Sequence, residues 1–287
     1  MSINSGSQRQ SMAIPKPIRI TAKILEATSV KMAAKFAMKI FITPIKFPIP
    51  KREEKMDAES RQELINIPAL NKKIMVYHYG KSDKKVLLVH GWSGRGTQLH
   101  SIADKMLKKG YSTISFDAPA HGKSPGKTSD MTEFIACILE LQKVYGPFTF
   151  AIGHSLGGMS VLNAIKRGLQ VDKAVIIGSG DVIKDIMDHF THQLGMNIGT
   201  GNLMIKLFEK KFGETINTYS AYIAAQAVTV PVMVVHDEND TDVPVTAAHH
   251  IHSHLANSQL VITQGLGHRK ILGDSTVIKT LTQFLLA

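Results

Sequence analysis

The chain has 287 residues, 44% of them hydrophobic and 20% charged, which suits a globular protein with a buried core. The single cysteine, Cys137, excludes an intramolecular disulfide, and its setting in "FIACILELQ" predicts a buried helix position. That usage fits a reducing compartment, so a cytoplasmic location is expected, although a secreted protein can also lack disulfides.

The net charge of +11 is uneven: residues 1–55 hold eleven Lys/Arg against three Glu, and the remainder is close to balanced. A basic N-terminal arm (1–55) preceding a main domain (56–287) is the division this suggests. Lys31, Lys35 and Lys39 interrupt the apolar run of the arm, so neither a signal peptide nor a membrane span is expected.

From Thr21 to Phe41 the pattern is that of one amphipathic helix, with those three lysines as a basic stripe. Such a helix either packs its apolar side on the main domain or makes peripheral contact with an anionic membrane; the pattern favours packing. Beyond Phe36, Phe41 and Phe47 the arm lacks interleaved aromatics, and it matches no nucleic-acid module, so no nucleic-acid partner is expected. "FITPIKFPIPKREEK", with prolines at 44, 48 and 50, reads as an extended connector.

Beyond it the chain alternates. "KIMVYHYG", "KVLLVHGW", "YSTISFDAPA", "FTFAIGHS", "KAVIIGSG", "PVMVVHD" and "QLVITQG" read as strands, separated from the third onward by helical stretches. This predicts an α/β fold: a mostly parallel sheet covered by helices, with ligands bound at the carboxyl ends of the strands. Residues 181–229 are too long for an ordinary connection and carry Met187, Phe190, Met204 and Phe208, which predicts a small helical cap.

"GHSLGG" places Ser155 after a strand and before a helix, the setting in which a G-x-S-x-G serine is exposed on a sharp turn. A serine nucleophile needs a base and an orienting acid. His268, just past the last strand, is the candidate base; "HDENDTDVP", past the preceding strand, offers Asp237, Asp240 and Asp242.

In these motifs the chain resembles the α/β-hydrolase family, in its lipase/esterase-like branch, over roughly residues 73–287. The matching segments are "HGWSG", "FDAPAHGKS", "GHSLGG", "DTDVP" and "GLGH". One departure is Ala120, where the family usually has glycine. The resemblance implies a Ser155–Asp240–His268 triad, with Asp237 and Asp242 as alternative acids. It also implies an oxyanion hole from the backbone N–H groups of Trp92 and Leu156. A serine hydrolase acting on small carboxylic esters of short to medium acyl chain, without metal or organic cofactor, is expected. An acyltransferase, a thioesterase or a non-catalytic ligand binder could use the same fold.

Other signals weigh less. "GKSPGKT" (Gly122–Thr128) has three residues between its glycines where a phosphate loop needs four. His250 and His254 stand one helical turn apart but without a third metal ligand at suitable spacing. Arg95 and Arg269 flank the site in sequence and are candidates to hold a substrate carboxylate or to pair with nearby acids.

Overall fold

A computed structural model describes residues 14–287. The chain opens with α1 (Lys16–Thr28), α2 (Val30–Phe41) and α3 (Lys51–Glu59), followed by β1 (Arg61–Ile67), β2 (Lys72–Tyr79) and β3 (Lys85–Val89). It continues through α4 (His100–Leu107), β4 (Ser112–Asp117), α5 (Met131–Tyr145), β5 (Phe150–His154), α6 (Leu156–Lys166) and β6 (Lys173–Ile177). The helices α7 (Ile183–Gln193), α8 (Ile198–Phe212) and α9 (Ala221–Ala225) form the long insert. Then come β7 (Val232–Asp237), α10 (Thr246–His254), β8 (Ser258–Thr263), α11 (Gly267–Lys270) and α12 (Ser275–Leu286).

The eight strands form one sheet in the order β1-β2-β4-β3-β5-β6-β7-β8. Only β1–β2 and β2–β4 pair antiparallel; the rest are parallel, as expected for strands joined by helical crossovers. β4, β5 and β7 are buried along their whole length, which explains their nearly continuous apolar runs. One core fills the sheet face under α5 and α6, and a second fills the opposite face under α4 and α12. Cys137 is fully buried in the first, where burial raises its thiol pKa well above the usual value.

Three details differ from the sequence-based expectation. The helix predicted over 21–41 is two helices, broken at Ser29, whose extended backbone (φ −162°, ψ 109°) reverses the chain and whose Oγ accepts from the Met32 N–H. The connector predicted through Lys55 ends at Pro50, where α3 begins; a boundary drawn after residue 55 therefore falls inside a helix. β1 is an additional strand without a sequence signal, because "RQELINI" at the sheet edge has only Ile67 fully buried and shows little apolar patterning.

α2 turns Ala33, Ala34 and Ala37 inward, and these small side chains let it lie close against α8. Together with Met187, Leu194, Met204 and Phe208 they form a third core, so α1, α2, α7 and α8 make one cap layer. Lys31, Lys35 and Lys39 point to solvent. No helix among the described residues is long and apolar enough to cross a membrane.

The Phe41 ring holds this layer together edge-on, 5.1 Å from the Phe190 ring centroid and 5.8 Å from that of Phe208. Phe41→Ala is expected to cost about 2–3 kcal/mol, somewhat below the value for a fully buried phenylalanine because Phe41 keeps partial exposure. Urea denaturation of the two chains checks this.

Candidate active site

Sheet register sets where the functional loops emerge. Val89 of β3 pairs with Gly153 of β5, which pairs with Ile176 of β6, so the loops after these strands leave the sheet at one level. Ser155 occupies the turn between β5 and α6 with φ 53° and ψ −121°, a strained conformation for a side chain larger than glycine. Two glycines make that turn possible. A Cβ on Gly153 would lie 2.4 Å from the Gly157 carbonyl oxygen, and one on Gly157 would lie 2.3 Å from that of Val89. The Ser155 N–H donates to the Ile177 carbonyl at 2.9 Å, tying the turn to the neighbouring strand.

Of the three candidate acids, Asp240 alone reaches the histidine: His268 Nδ1 lies 2.6 Å from Asp240 Oδ2. The other oxygen, Oδ1, accepts from the N–H groups of Asp242 and Val243 at 2.8 and 2.9 Å. Burial pushes the Asp240 carboxyl pKa up, but His268 and these two N–H groups outweigh it and hold the pKa below its ordinary value. Asp237 is spent on its own loop, accepting from Thr263 Oγ1, Leu266 N–H and Asn239 N–H. Asp242, partly buried, turns instead to Arg269, 3.4 Å away.

Ser155 and His268 line the same cleft. No hydrogen bond joins Ser155 Oγ to His268 among the described residues, so the serine hydroxyl is unengaged. The N–H of Leu156, the first residue of α6, has no intrahelical acceptor, and the N–H of Trp92 has no acceptor among the described residues. Both residues line the cleft beside the serine.

The loop carrying Trp92 is held from several sides. Gly94 N–H donates to the Gly91 carbonyl, Gly91 N–H to Gln98 Oε1, and Gly96 N–H to Asp117 Oδ1 at 2.6 Å. Asp117, fully buried, also accepts from Tyr77 Oη and Lys123 N–H. It thereby joins this loop to the "FDAPAHGKS" loop. The backbone of the phosphate-loop look-alike is thus folded onto a carboxylate: a Cβ on Gly122 would meet Asp117 Oδ2 at 2.3 Å. His90 accepts the Ala118 N–H on Nε2, so its Nδ1–H donates to the Gly91 carbonyl; burial lowers its pKa and keeps it neutral.

Sequence reasoning missed four supporting groups. Glu53, buried on α3, accepts from Thr97 Oγ1 at 2.8 Å and faces Arg95 Nε at 3.5 Å. Arg95 therefore pairs with an acid of the N-terminal segment. Ser93, at φ 56°, accepts the Ile45 N–H on its Oγ at 3.0 Å. His154 Nε2 donates to the His268 carbonyl at 2.9 Å; burial, then the proximity of His268, lowers its pKa to about 3, so it stays neutral beside the candidate base. His236 is buried 3.5 Å from Asp240 Oδ2 and bonds the Val243 carbonyl. None of these contacts has a motif: each joins segments that are distant in sequence or differ only in which way a side chain turns. His250, for its part, bonds Asp181, and His254 bonds the His250 carbonyl.

The cleft measures about 2150 Å³, above the roughly 300–1,000 Å³ usual for small-molecule pockets. Its roof is the cap, through Phe41, Met187, Phe190, Phe208 and Phe212; its floor holds Ser155, Asp240 and His268.

Comparison with known proteins places these features in context. The profile described as "Alpha/beta hydrolase family" matches residues 86–274. An uncharacterized protein of Mycobacterium tuberculosis is 22% identical, the match covering 65% of this chain and 70% of that one. An esterase of Pyrococcus furiosus superposes with a TM-score of 0.65 at 18% identity, covering 85% of this chain and 96% of its own. An esterase of Exiguobacterium antarcticum gives 0.62 at 19% identity, covering 79% and 100%.

Two substitutions test the backbone argument. Gly157→Ala is expected to destabilise the fold by roughly 3 kcal/mol, the upper end for overpacking, because the new methyl meets backbone on a buried strand. Ala120 sits at φ 64°, the left-handed region, which explains why glycine is usual at its position. Ala120→Gly is expected to stabilise by about 0.5–1 kcal/mol, the relief of strain being partly offset by a more flexible unfolded chain. Denaturant midpoints of the three proteins decide both.

Proposed function

Because this chain belongs to the alpha/beta hydrolase family, we propose that it is a serine hydrolase that cleaves carboxylic esters through an acyl-enzyme on Ser155. The observation that carries the reading is the 2.6 Å contact between His268 Nδ1 and Asp240, made in the cleft that also exposes the strained Ser155. With Nδ1–H donating to the carboxylate, Nε2 is the nitrogen left to take the serine proton.

In this mechanism Ser155 Oγ attacks the ester carbonyl carbon as its proton passes to His268 Nε2. The carbonyl oxygen becomes an oxyanion, and the N–H groups of Trp92 and Leu156 stabilise it. The C–O bond to the alcohol then breaks, and the proton on Nε2 leaves with that alcohol. Water, deprotonated by the same nitrogen, attacks the acyl-enzyme, and the acid departs as Ser155 recovers its proton. Asp240 keeps the imidazole in the required tautomer and stabilises its positive charge. Every step uses groups of this chain and water.

The apolar cap roof supports an acyl group of short to medium length, lying against side chains such as Met187 that adapt to irregular shapes. Two solved structures of the same fold carry the name esterase, which agrees with this class of substrate.

A fluorophosphonate probe tests the nucleophile: the native chain should label stoichiometrically at Ser155, and Ser155→Ala should not label. Labelling that survives the substitution, or a folded native chain that takes no label, overturns the reading. On nitrophenyl esters, Asp240→Asn should lower turnover by about 10⁴, as tautomer loss does in serine proteases, while Asp242→Asn should leave it within about twofold. Adding excess alcohol to the same assay separates hydrolysis from acyl transfer, since a transferase would divert product into a new ester.

A further inference from the structure

The outer surface of the cap carries apolar and basic groups that the fold does not use. α1 packs inward through Ile18, Ala22 and Leu25. On its other face Ile20, Ile24 and Ala27 recur at helical spacing, and the two isoleucines are 58% and 60% exposed. Ile198, at the start of α8, is 73% exposed, and its neighbour Asn197 donates its N–H to Glu26 of α1. Bare aliphatics therefore stand on both α1 and α8 of the cap.

Charge on α1 and α2 is almost all of one sign. α1 and α2 carry six cations, Lys16, Arg19, Lys23, Lys31, Lys35 and Lys39, all exposed. None of them forms an ion pair among the described residues. The single acid of the two helices, Glu26, is turned inward, bonding Asn197 and the Thr200 hydroxyl. Residues 1–13 contain no Asp or Glu, so their side chains bring no anion to this face.

Exposed aliphatics flanked by unpaired cations are the chemistry that anionic lipid satisfies twice. Isoleucine enters the boundary between headgroups and acyl chains, and lysine meets the phosphate above it. A nucleic acid would satisfy the charge but leave the isoleucines in water. We propose that the outer face of α1, with the adjoining lysines of α2, docks this protein peripherally on an anionic membrane surface. α2 packs against α1 and carries Phe41 into the cleft roof, so docking would set the cap side of the cleft toward the lipid.

This surface works independently of the chemistry at Ser155, and Ser155→Ala should bind vesicles as the native chain does. Co-sedimentation with vesicles of phosphatidylglycerol and phosphatidylcholine, against phosphatidylcholine alone, is the test. The full-length chain should partition onto the anionic vesicles and be released by high salt. Ile20→Glu combined with Ile24→Glu should weaken binding about tenfold or more, with circular dichroism confirming the fold. Lys16→Glu with Lys23→Glu, which leaves the isoleucines in place, should do the same. The proposal fails if the native chain ignores anionic vesicles, or if both paired variants bind them as well as the native chain. It also fails if the native chain instead retains duplex DNA. A native dimer that the isoleucine variant dissolves, with no vesicle binding, would assign the face to a second copy.

Discussion

Ser155 is held at φ 53° because three backbones crowd around it: β5 delivering the serine, α6 leaving it, and β3 alongside. The glycines at 153 and 157 have room for a hydrogen and nothing larger, so the turn cannot relax toward an ordinary helix start without separating α6 from the sheet. The strain is maintained by the packing of two cores on either side of the sheet. Its consequence is local and chemical. The serine side chain stands in the cleft, and the first N–H of α6 is left without an intrahelical acceptor.

Buried carboxylates fix the loops around that turn. Asp117 gathers Gly96, Lys123 and Tyr77, and burial raises its pKa even though all three donate to it. Glu53 gathers Thr97 and Arg95 from a helix that precedes the sheet altogether. Both hold the loop that carries Trp92, one from each side. A buried acceptor with its donors in place is costly to disturb, since removing it strands several groups at once. The N-terminal segment is accordingly part of the site's scaffold: Ile45 and Glu53 bracket the same loop.

The cap is assembled from two distant pieces of chain. α1 and α2 come from the N-terminus, α7 and α8 from the insert after β6, and their shared core is built from alanine on one side and methionine and phenylalanine on the other. The two pieces roof the cleft together through Phe41 and Phe190, so the shape of the pocket depends on a contact between residues that are far apart in sequence.

Motif and periodicity alone determined much of this. Alternating apolar runs specified the parallel strands, since strands buried on both faces must be apolar throughout. The G-x-S-x-G turn specified where the serine stands, because the glycines it requires are written in the chain. The position of His268 after the last strand was legible for the same reason. Tertiary structure decided what spacing could not. Asp237, Asp240 and Asp242 are equivalent in composition; the family resemblance singles out Asp240, and the folded loop shows how the three differ, with Asp240 turned to His268, Asp237 capping its own turn and Asp242 turned to Arg269. The fate of Arg95, the break at Ser29 and which part of the main domain the arm packs on were likewise unreadable. Each rests on which partner a side chain meets across the chain, and a linear pattern records the side chain without its partner.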